Sequence, residues 1–442
     1  MPSTTKEDRN KKFMVASSDS ESENEDLALV HMVLRKLNIK DQTLLHRHFK
    51  IVPDAFNILW REQHQPLDLG QMQLKLHGSN LHLFLQDMCK EFRSVHFRSE
   101  QLQEELNILE QAGIERLVNI ETCEISWSKS LAKGNTNFPQ WPFHALPKLL
   151  SNLTKLEIFA PVQVCFIEQF RKLESLKIFD AISSTSLEAI LSTDSPLMQL
   201  HLPGDLTYQL VGISKCRHLK NILVNLQTFL SSPNEILQLP KLLVLRLTQL
   251  TENGDSLKAL SKVIQVKGSQ LKSFQLNCSF MDHCKYLAQL QLNRCQSLDE
   301  LELVNCQFEY QDMTKLCLPA SQSYAMFSNC PDLIDDQLLD FIKASPKLKE
   351  LVLVECPKLT EALLYDVVKV RCSYENPETL LFRVKDCQDI WDSYKKNFSS
   401  HWDRKRYILK LDCMTEDNTP IDNVQFMFHE PQENPRIIQV TV

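Results

Sequence analysis

Glycine is scarce, at 8 of 442 residues, which leaves little of the permissive backbone from which phosphate-cradling loops are built. No Cys-x-x-Cys pair occurs among the 14 cysteines, so the usual spacing of a zinc site is absent. A basic excess is missing too: 49 Lys and Arg stand against 56 Asp and Glu, a net charge of −7. That balance argues against a nucleic-acid binder, which would show a basic stripe. No stretch is long and uncharged enough for a transmembrane helix, and the opening Met-Pro-Ser-Thr-Thr-Lys-Glu-Asp has no apolar run of a signal peptide. We therefore expect no membrane association, an intracellular location in cytoplasm, nucleus or both, and cysteines that are reduced, buried thiols. The motifs G-x-S-x-G, H-E-x-x-H and the Walker loop are absent as well. His46 and His48 are spaced i, i+2, which does not share a helix face, and so read as ordinary surface residues. No catalytic residue of the chain's own, no cofactor and no metal are expected.

What the chain does have is a phrase written twice. Cys330-Pro331-Asp332-Leu333-Ile334-Asp335 returns as Cys356-Pro357-Lys358-Leu359-Thr360-Glu361, and the match runs on through Leu338/Leu364, Asp340/Asp366 and Ile342/Val368. Between the copies stand Leu348, Leu351, Leu353 and Cys356, an L-x-x-L-x-L-x-x-C pattern. It resembles a leucine-rich repeat, whose period is roughly 20–29 residues. The last two leucines alternate as on a strand, so both point to one face. The small thiol fits the corner where strand gives way to helix. One repeat cannot bury its own apolar faces, so only a stack is stable.

The same three slots recur at Leu153/Leu156/Ile158, Leu173/Leu176/Ile178, Leu197/Leu200/Leu202, Leu219/Ile222/Val224, Leu242/Leu245/Leu247, Leu271/Phe274/Leu276 and Leu298/Leu301/Leu303. Looser units are expected at Val95/Phe97, Ile120/Cys123/Ile125, Ala325/Phe327 and Phe382/Val384, with a last strand at Leu409 and Leu411. Leu287, Leu290 and Leu292 fit the strand template too, but lie so close to Leu298 that they read as the helix of that repeat. Cys295, Cys306, Cys330, Cys356 and Cys387 are assigned to repeat corners. The segment 129–143, with Gly134 and Pro139, is the expected surface loop. Val424, Phe426 and Phe428 alternate like an edge strand closing the end, and the basic run 404–406 reads as a solvated face.

Ahead of the repeats, residues 1–26 are a tail, acidic and serine-rich over 17–26, too polar to bury anything. From 27 to 69 the spacing predicts three short amphipathic helices: Leu29, Val30, Val33, Leu34 and Leu37 on one; Leu44, Leu45 and Phe49 on a second capped by Asp41; and Phe56, Leu59 and Trp60 on a third that Pro53 opens. The set Val33, Leu34, Leu37, Asp41, Val52, Phe56, Trp60 and Leu67-Asp68-Leu69 resembles the F-box, a helical module that docks on a Skp-type adaptor. An F-box followed by leucine-rich repeats is the layout of substrate receptors of SCF-type ubiquitin ligases.

The resemblance implies an α/β fold: a leucine-rich-repeat solenoid over 70–413, a small all-helical module before it, and a cap or tail over 414–442. It further implies a non-catalytic receptor subunit whose adaptor, bound through Val33, Leu34, Leu37, Val52, Phe56 and Trp60, links it to a cullin. The alternative is a leucine-rich-repeat scaffold with no ligase partner, the helices serving as an N-terminal cap. In either case an unidentified protein target is expected on the concave strand face. There the residue between the two inward slots forms a row through Glu157, Lys177, His201, Leu223, Arg246, Gln275, Glu302, Met326, Val352 and Arg383, flanked by Phe159 and Phe179. Phe159, Lys177, Phe179, His201, Arg246, Glu302 and Arg383 are the candidate contacts, aromatics and arginines being enriched among binding anchors.

Overall fold

Apolar residues at every second position, separated by polar ones, make these segments strands with one buried face. The computed structural model describes residues 30–48, 53–127, 141–162, 165–248, 254–278, 290–308, 323–374, 379–387, 389–390, 392 and 409–413. The tail 1–26, Leu29, Phe49, Val52, most of the loop 129–143, Leu287, the basic run 404–406 and the segment 414–442 lie outside the described residues. The chain divides into two units, Met1–Leu250 and Thr251–Val442.

In the first unit eight strands follow one another: β1 (Leu67–Asp68), β2 (Ser94–Arg98), β3 (Thr122–Ser126), β4 (Lys155–Ile158), β5 (Ser175–Ile178), β6 (Gln199–His201), β7 (Asn221–Asn225) and β8 (Val244–Thr248). Each pairs in parallel with its sequence neighbour within the unit, in a register that sets inward apolar residues side by side, as with Cys123, Leu156, Leu176, Leu200, Ile222 and Leu245. All six are buried. Short helices such as Ser79–Met88, Leu102–Gln111 and Ser184–Ser192 return the chain from strand to strand, with 3-10 turns elsewhere. This is a leucine-rich-repeat solenoid.

The second unit repeats the design with β9 (Ser273–Asn277), β10 (Glu300–Val304), β11 (Tyr324–Ser328), β12 (Glu350–Val354), β13 (Leu380–Lys385) and β14 (Leu409–Cys413), again all parallel to their neighbours. Its helices include Gly254–Lys267, Asp335–Ala344 and Glu361–Cys372. Leu292 opens a 3-10 turn, Leu292–Arg294, and is not part of an α-helix, and Leu290 is separated from it by Gln291 at φ 54°.

The corners explain the cysteines. After β10, β11, β12 and β13 the residues Asn305, Asn329, Glu355 and Asp386 take φ of 54°, 48°, 50° and 52°. Asn and Asp tolerate this left-handed geometry better than other non-glycine residues. The turn swings the next residue inward, and Cys306, Cys330, Cys356 and Cys387 are all fully buried. Their thiols lie against main-chain carbonyls: Cys330 Sγ is 3.4 Å from Ser328 O and Cys356 Sγ 3.4 Å from Val354 O. Cys278, which the repeat pattern missed, joins the row with its sulfur 3.4 Å from that of Cys306. Cys295 is buried but sits after the turn Leu292–Arg294, on the side of the repeat and not at a strand corner.

The N-terminal helices are a unit built around one indole. Trp60, on the helix Pro53–Gln63, is fully buried, and its Nε1 donates to Gln42 Oε1 at 2.7 Å. The Gln42 amide in turn donates to Leu34 O and Leu37 O at 3.0 and 2.9 Å, tying the end of helix 30–34 to the helix Ile39–His48. Phe56, His46 and Phe84 pack around the indole with centroids 5.5, 5.1 and 4.9 Å away. The cap of the second helix is Asn38, whose Oδ1 accepts from the Asp41 amide at 3.0 Å, so Asp41 is not the cap. Leu67-Asp68-Leu69 is not the tail of this module either. It is β1 and the start of the helix Leu69–Lys75, with Asp68 capping it by accepting from Gln71 N at 2.8 Å.

The hydrogen bond with Cys330, together with burial, pushes the Cys356 thiol up to about 12, whereas Cys165 and Cys372 are exposed. Iodoacetamide at pH 8, read residue by residue by mass spectrometry on the folded chain, is expected to label Cys356 at least about a hundredfold more slowly than Cys165 or Cys372. Equal rates would show the corner open. Cys356→Ser is expected to lower the melting temperature, with a loss of about 1 kcal/mol of stability, because a smaller and more strongly hydrated hydroxyl replaces a sulfur packed in the buried corner.

Candidate functional site

On a strand whose flanking residues point into the core, the residue between them points to the opposite face. The register collects these residues into a row in each unit. In the first it runs His96, Glu124, Glu157, Lys177, His201, Leu223, Arg246. In the second it runs Gln275, Glu302, Met326, Val352, Arg383. The row expected from the sequence is thus present within each unit. Leu223, Gln275 and Val352 are nonetheless buried.

The first unit carries the sharpest feature. Phe159 and Phe179, one residue beyond β4 and β5, stack with centroids 4.3 Å apart and planes at 1°. The main chain holds them there, Phe159 N donating to Ile125 O and Phe179 N to Ile158 O, both at 2.8 Å. Both rings are half-buried. His201 meets the Phe179 ring edge-on at 4.7 Å. Beside it Lys177 Nζ bonds Glu157 Oε1 at 2.8 Å. Burial first, then the positive fields of Lys177 and Arg246, lowers the His201 imidazole to about 4, so it is neutral at physiological pH.

In the second unit the strand face gathers glutamates. Glu300, Tyr324 and Glu350 are register neighbours, and Glu302 and Met326 are neighbours in the adjoining row. Burial first, and then the three glutamates, raises the Tyr324 phenol well above its usual range. Arg383 donates to Glu350 at 2.7 Å. Glu302 and Arg383 therefore share one face with Tyr324, while the candidates Lys177, His201, Arg246, Phe159 and Phe179 form a separate patch in the first unit.

At the N-terminal end of the sheet lies a polar chain that sequence reasoning missed. His96 Nε2 is 2.7 Å from Ser126 Oγ, and its Nδ1 is 3.2 Å from Asp68 Oδ2. The order matches a serine–histidine–aspartate relay. Asp68, however, is also held by Arg98 at 2.8 Å and caps a helix, so its charge is already balanced and its geometry fixed by structure. Among the described residues no group of three or more His, Cys, Asp or Glu is placed to hold a metal ion, and no helix is long and apolar enough to cross a membrane.

Of the described residues assigned to adaptor docking, Val33 is the one that is exposed. Leu34, Phe56 and Trp60 are buried within the chain, Leu37 is half-buried, and Val33 is exposed, with Met32 beside it. Val52 lies outside the described residues. The periodicity that put these apolar residues on shared helix faces is the periodicity of a core, and Gln42 and Phe84, which complete that core, carry no motif.

The sequence matches no family model and no curated protein. Among solved structures, it is similar to a leucine-rich-repeat protein of Leptospira interrogans, with 15% identity over 80% of this chain and 97% of that one, at a TM-score of 0.35. It is similar also to TLR13 in a complex with ssRNA13, with 13% identity over 67% and 46% and a TM-score of 0.33. A third is the functional domain of InlJ from Listeria monocytogenes, described as including a cysteine ladder, with 12% identity over 68% and 75% and a TM-score of 0.29.

The depressed His201 gives a signed pH effect. The unfolded imidazole titrates near 6.5 and the folded one at about 4, so between these values the unfolded state binds more protons and stability rises with pH. His64, also lowered to about 4, adds to the slope, and Glu105, raised by burial to about 7, opposes it. The informative quantity is therefore the difference from wild type. His201→Gln is expected to lose about 3 kcal/mol less than wild type on acidification from pH 7 to 4, measured by urea denaturation. Parallel profiles would show the imidazole solvated and this patch open to water.

Proposed function

We propose that this chain is a non-catalytic, intracellular protein-interaction scaffold that holds a partner protein on the strand face of its repeats. The observation that carries the reading is the stacked pair Phe159 and Phe179 on the face opposite the core. Covering a Phe side chain is worth roughly 1.5–3 kcal/mol, and aromatics are preferred anchors at interfaces. Lys177, His201 and Arg246 beside the rings, and Glu302 and Arg383 in the second unit, supply polar contacts that select the partner. The double variant Phe159→Ala, Phe179→Ala is expected to keep the circular-dichroism spectrum of the wild type and lose at least one co-purifying protein. A folded variant that keeps the full set moves recognition elsewhere.

A second reading is a substrate receptor of an SCF-type ubiquitin ligase, in which the same face holds the target and the N-terminal helices hold a Skp-type adaptor and, through it, a cullin. The observation that favours it is apolar exposure on those helices: Met32 is 58% exposed, Val33 56% and Ile58 39%. Met32 and Val33 are adjacent in sequence, and contiguous exposed apolar surface marks interaction sites. Met32→Glu, Val33→Glu is expected to weaken adaptor binding at least about tenfold while leaving the melting temperature unchanged. Trp60→Ala would act through folding instead, since it empties a core site. No binding of purified adaptor to the folded wild-type chain removes the ligase reading and leaves the scaffold.

A further inference from the structure

We propose that the first unit's strand face selects an extended, acidic segment of its partner, seating a large apolar side chain on Phe159 and Phe179 and a neighbouring Asp or Glu carboxylate beside Lys177 and Arg246. This inference rests on the scaffold reading and adds the chemistry of the partner.

From β4 to β8 cations outnumber acids on that face. The register places Lys155, Ser175, Gln199, Asn221 and Val244 in one row and Glu157, Lys177, His201, Leu223 and Arg246 in the next. Among the described residues of these two rows, from β4 to β8, the cations are Lys155, Lys177 and Arg246 and the acid is Glu157, which is hydrogen-bonded to Lys177 and has Glu124 beyond it on β3. The positive field is felt at the centre of the patch, where Lys177 and Arg246 both disfavour protonation of His201. A carboxylate placed there meets that field in half-buried surroundings, where an ion pair is stronger than in bulk water. The ring pair lies one step along the strands from Glu157 and Lys177, and alternate residues on one face of an extended chain are about 6–7 Å apart. An apolar residue and an acidic one within a few positions of each other therefore reach both subsites. Gln199 and Asn221, half-exposed in the outer row, offer amides to the segment's main chain.

Two features restrict the occupant. A basic segment would meet Lys155, Lys177 and Arg246, and is better matched to Glu300, Glu302 and Glu350 of the second unit. Single-stranded nucleic acid also uses aromatics and cations, but it needs a continuous basic track, and Glu157 interrupts this one.

The test uses the full chain, immobilised, and a phage-displayed library of random 12-residue peptides. Selected peptides are expected to combine Phe, Trp, Leu or Met with Asp or Glu, and their synthetic, fluorescein-labelled forms to bind at least tenfold more weakly to Phe159→Ala, Phe179→Ala and to Lys155→Gln, Arg246→Gln. Lys155 is exposed and Arg246 half-buried, so the second pair guards against loss of fold in the first. Lys177→Arg, which keeps the charge, is expected to retain binding. Peptides lost in the double-Phe variant but lacking acids, or unaffected by the charge variant, overturn the acidic chemistry and leave the scaffold reading standing. Tighter binding of a labelled 12-nucleotide single-stranded RNA than of any peptide, lost in the double-Phe variant, overturns the choice of a protein segment. No selected peptide sensitive to either variant overturns the site itself, while the co-purification experiment independently decides the scaffold.

Discussion

No repeat of this chain can bury its own leucines, and every other feature answers to that constraint. A strand of three to six residues with apolar side chains on one face is unstable alone. It becomes stable when the next strand, paired in parallel, lays its own apolar pair alongside and the connecting helix or turn covers both. The rows Leu156, Leu176, Leu200, Ile222, Leu245 in the first unit and Phe274, Leu301, Ala325, Leu351, Phe382 in the second are the result. The stack also dictates the opposite face. Whatever the sequence places between two inward residues is delivered, at the strand spacing of about 4.8 Å, beside its counterpart in the next repeat.

That delivery turns scattered residues into sites. Phe159 and Phe179 lie far apart in sequence on this scale, yet the register makes them one stacked surface and brings His201 to its edge. The same register gathers Glu300, Tyr324 and Glu350 in the second unit. Glutamates thus cluster on the strand face of the second unit. The corners contribute rigidity. A left-handed residue followed by a buried thiol closes four successive turns after β10 to β13, and where two corners carry asparagine, their side chains bond to one another along the stack, as Asn305 does with Asn277 and Asn329.

The N-terminal helices obey a different economy of space. Their apolar residues surround Trp60 and reach Phe84 on the helix Ser79–Met88, so the module packs on the first turns of the solenoid. The indole N–H and the Gln42 amide satisfy one another inside that core, which lets a polar side chain that is 1% exposed hold three helical segments together. The indole that most suggested a docking anchor is the one the module cannot do without. Met32, Val33 and Ile58, less distinctive in sequence, reach solvent.

Much of the fold was legible because its signal is local. The L-x-x-L-x-L phrase and its spacing place every strand from β2 to β13, since alternation and burial of one face are properties of consecutive residues. The inward corner of Cys306, Cys330, Cys356 and Cys387 follows from the same phrase. Local pattern failed where a side chain's role depends on what lies across from it. Leu67-Asp68-Leu69 is a strand and a helix cap because β2 pairs with it, Cys295 lies on the side of its repeat because it follows a 3-10 turn and not a strand, and Cys278 joins the corner row through Val304 O and the neighbouring sulfur of Cys306. Amphipathic spacing on the N-terminal helices identified apolar residues but not which of them face inward, because a buried and a docking face have the same period. The sequence by itself determined the repeat, the order of the strands and the residues offered on each strand. Tertiary structure alone decided which of those residues meet, because contact between repeats is set by strand register and corner geometry, to which residues some twenty or more positions apart contribute together.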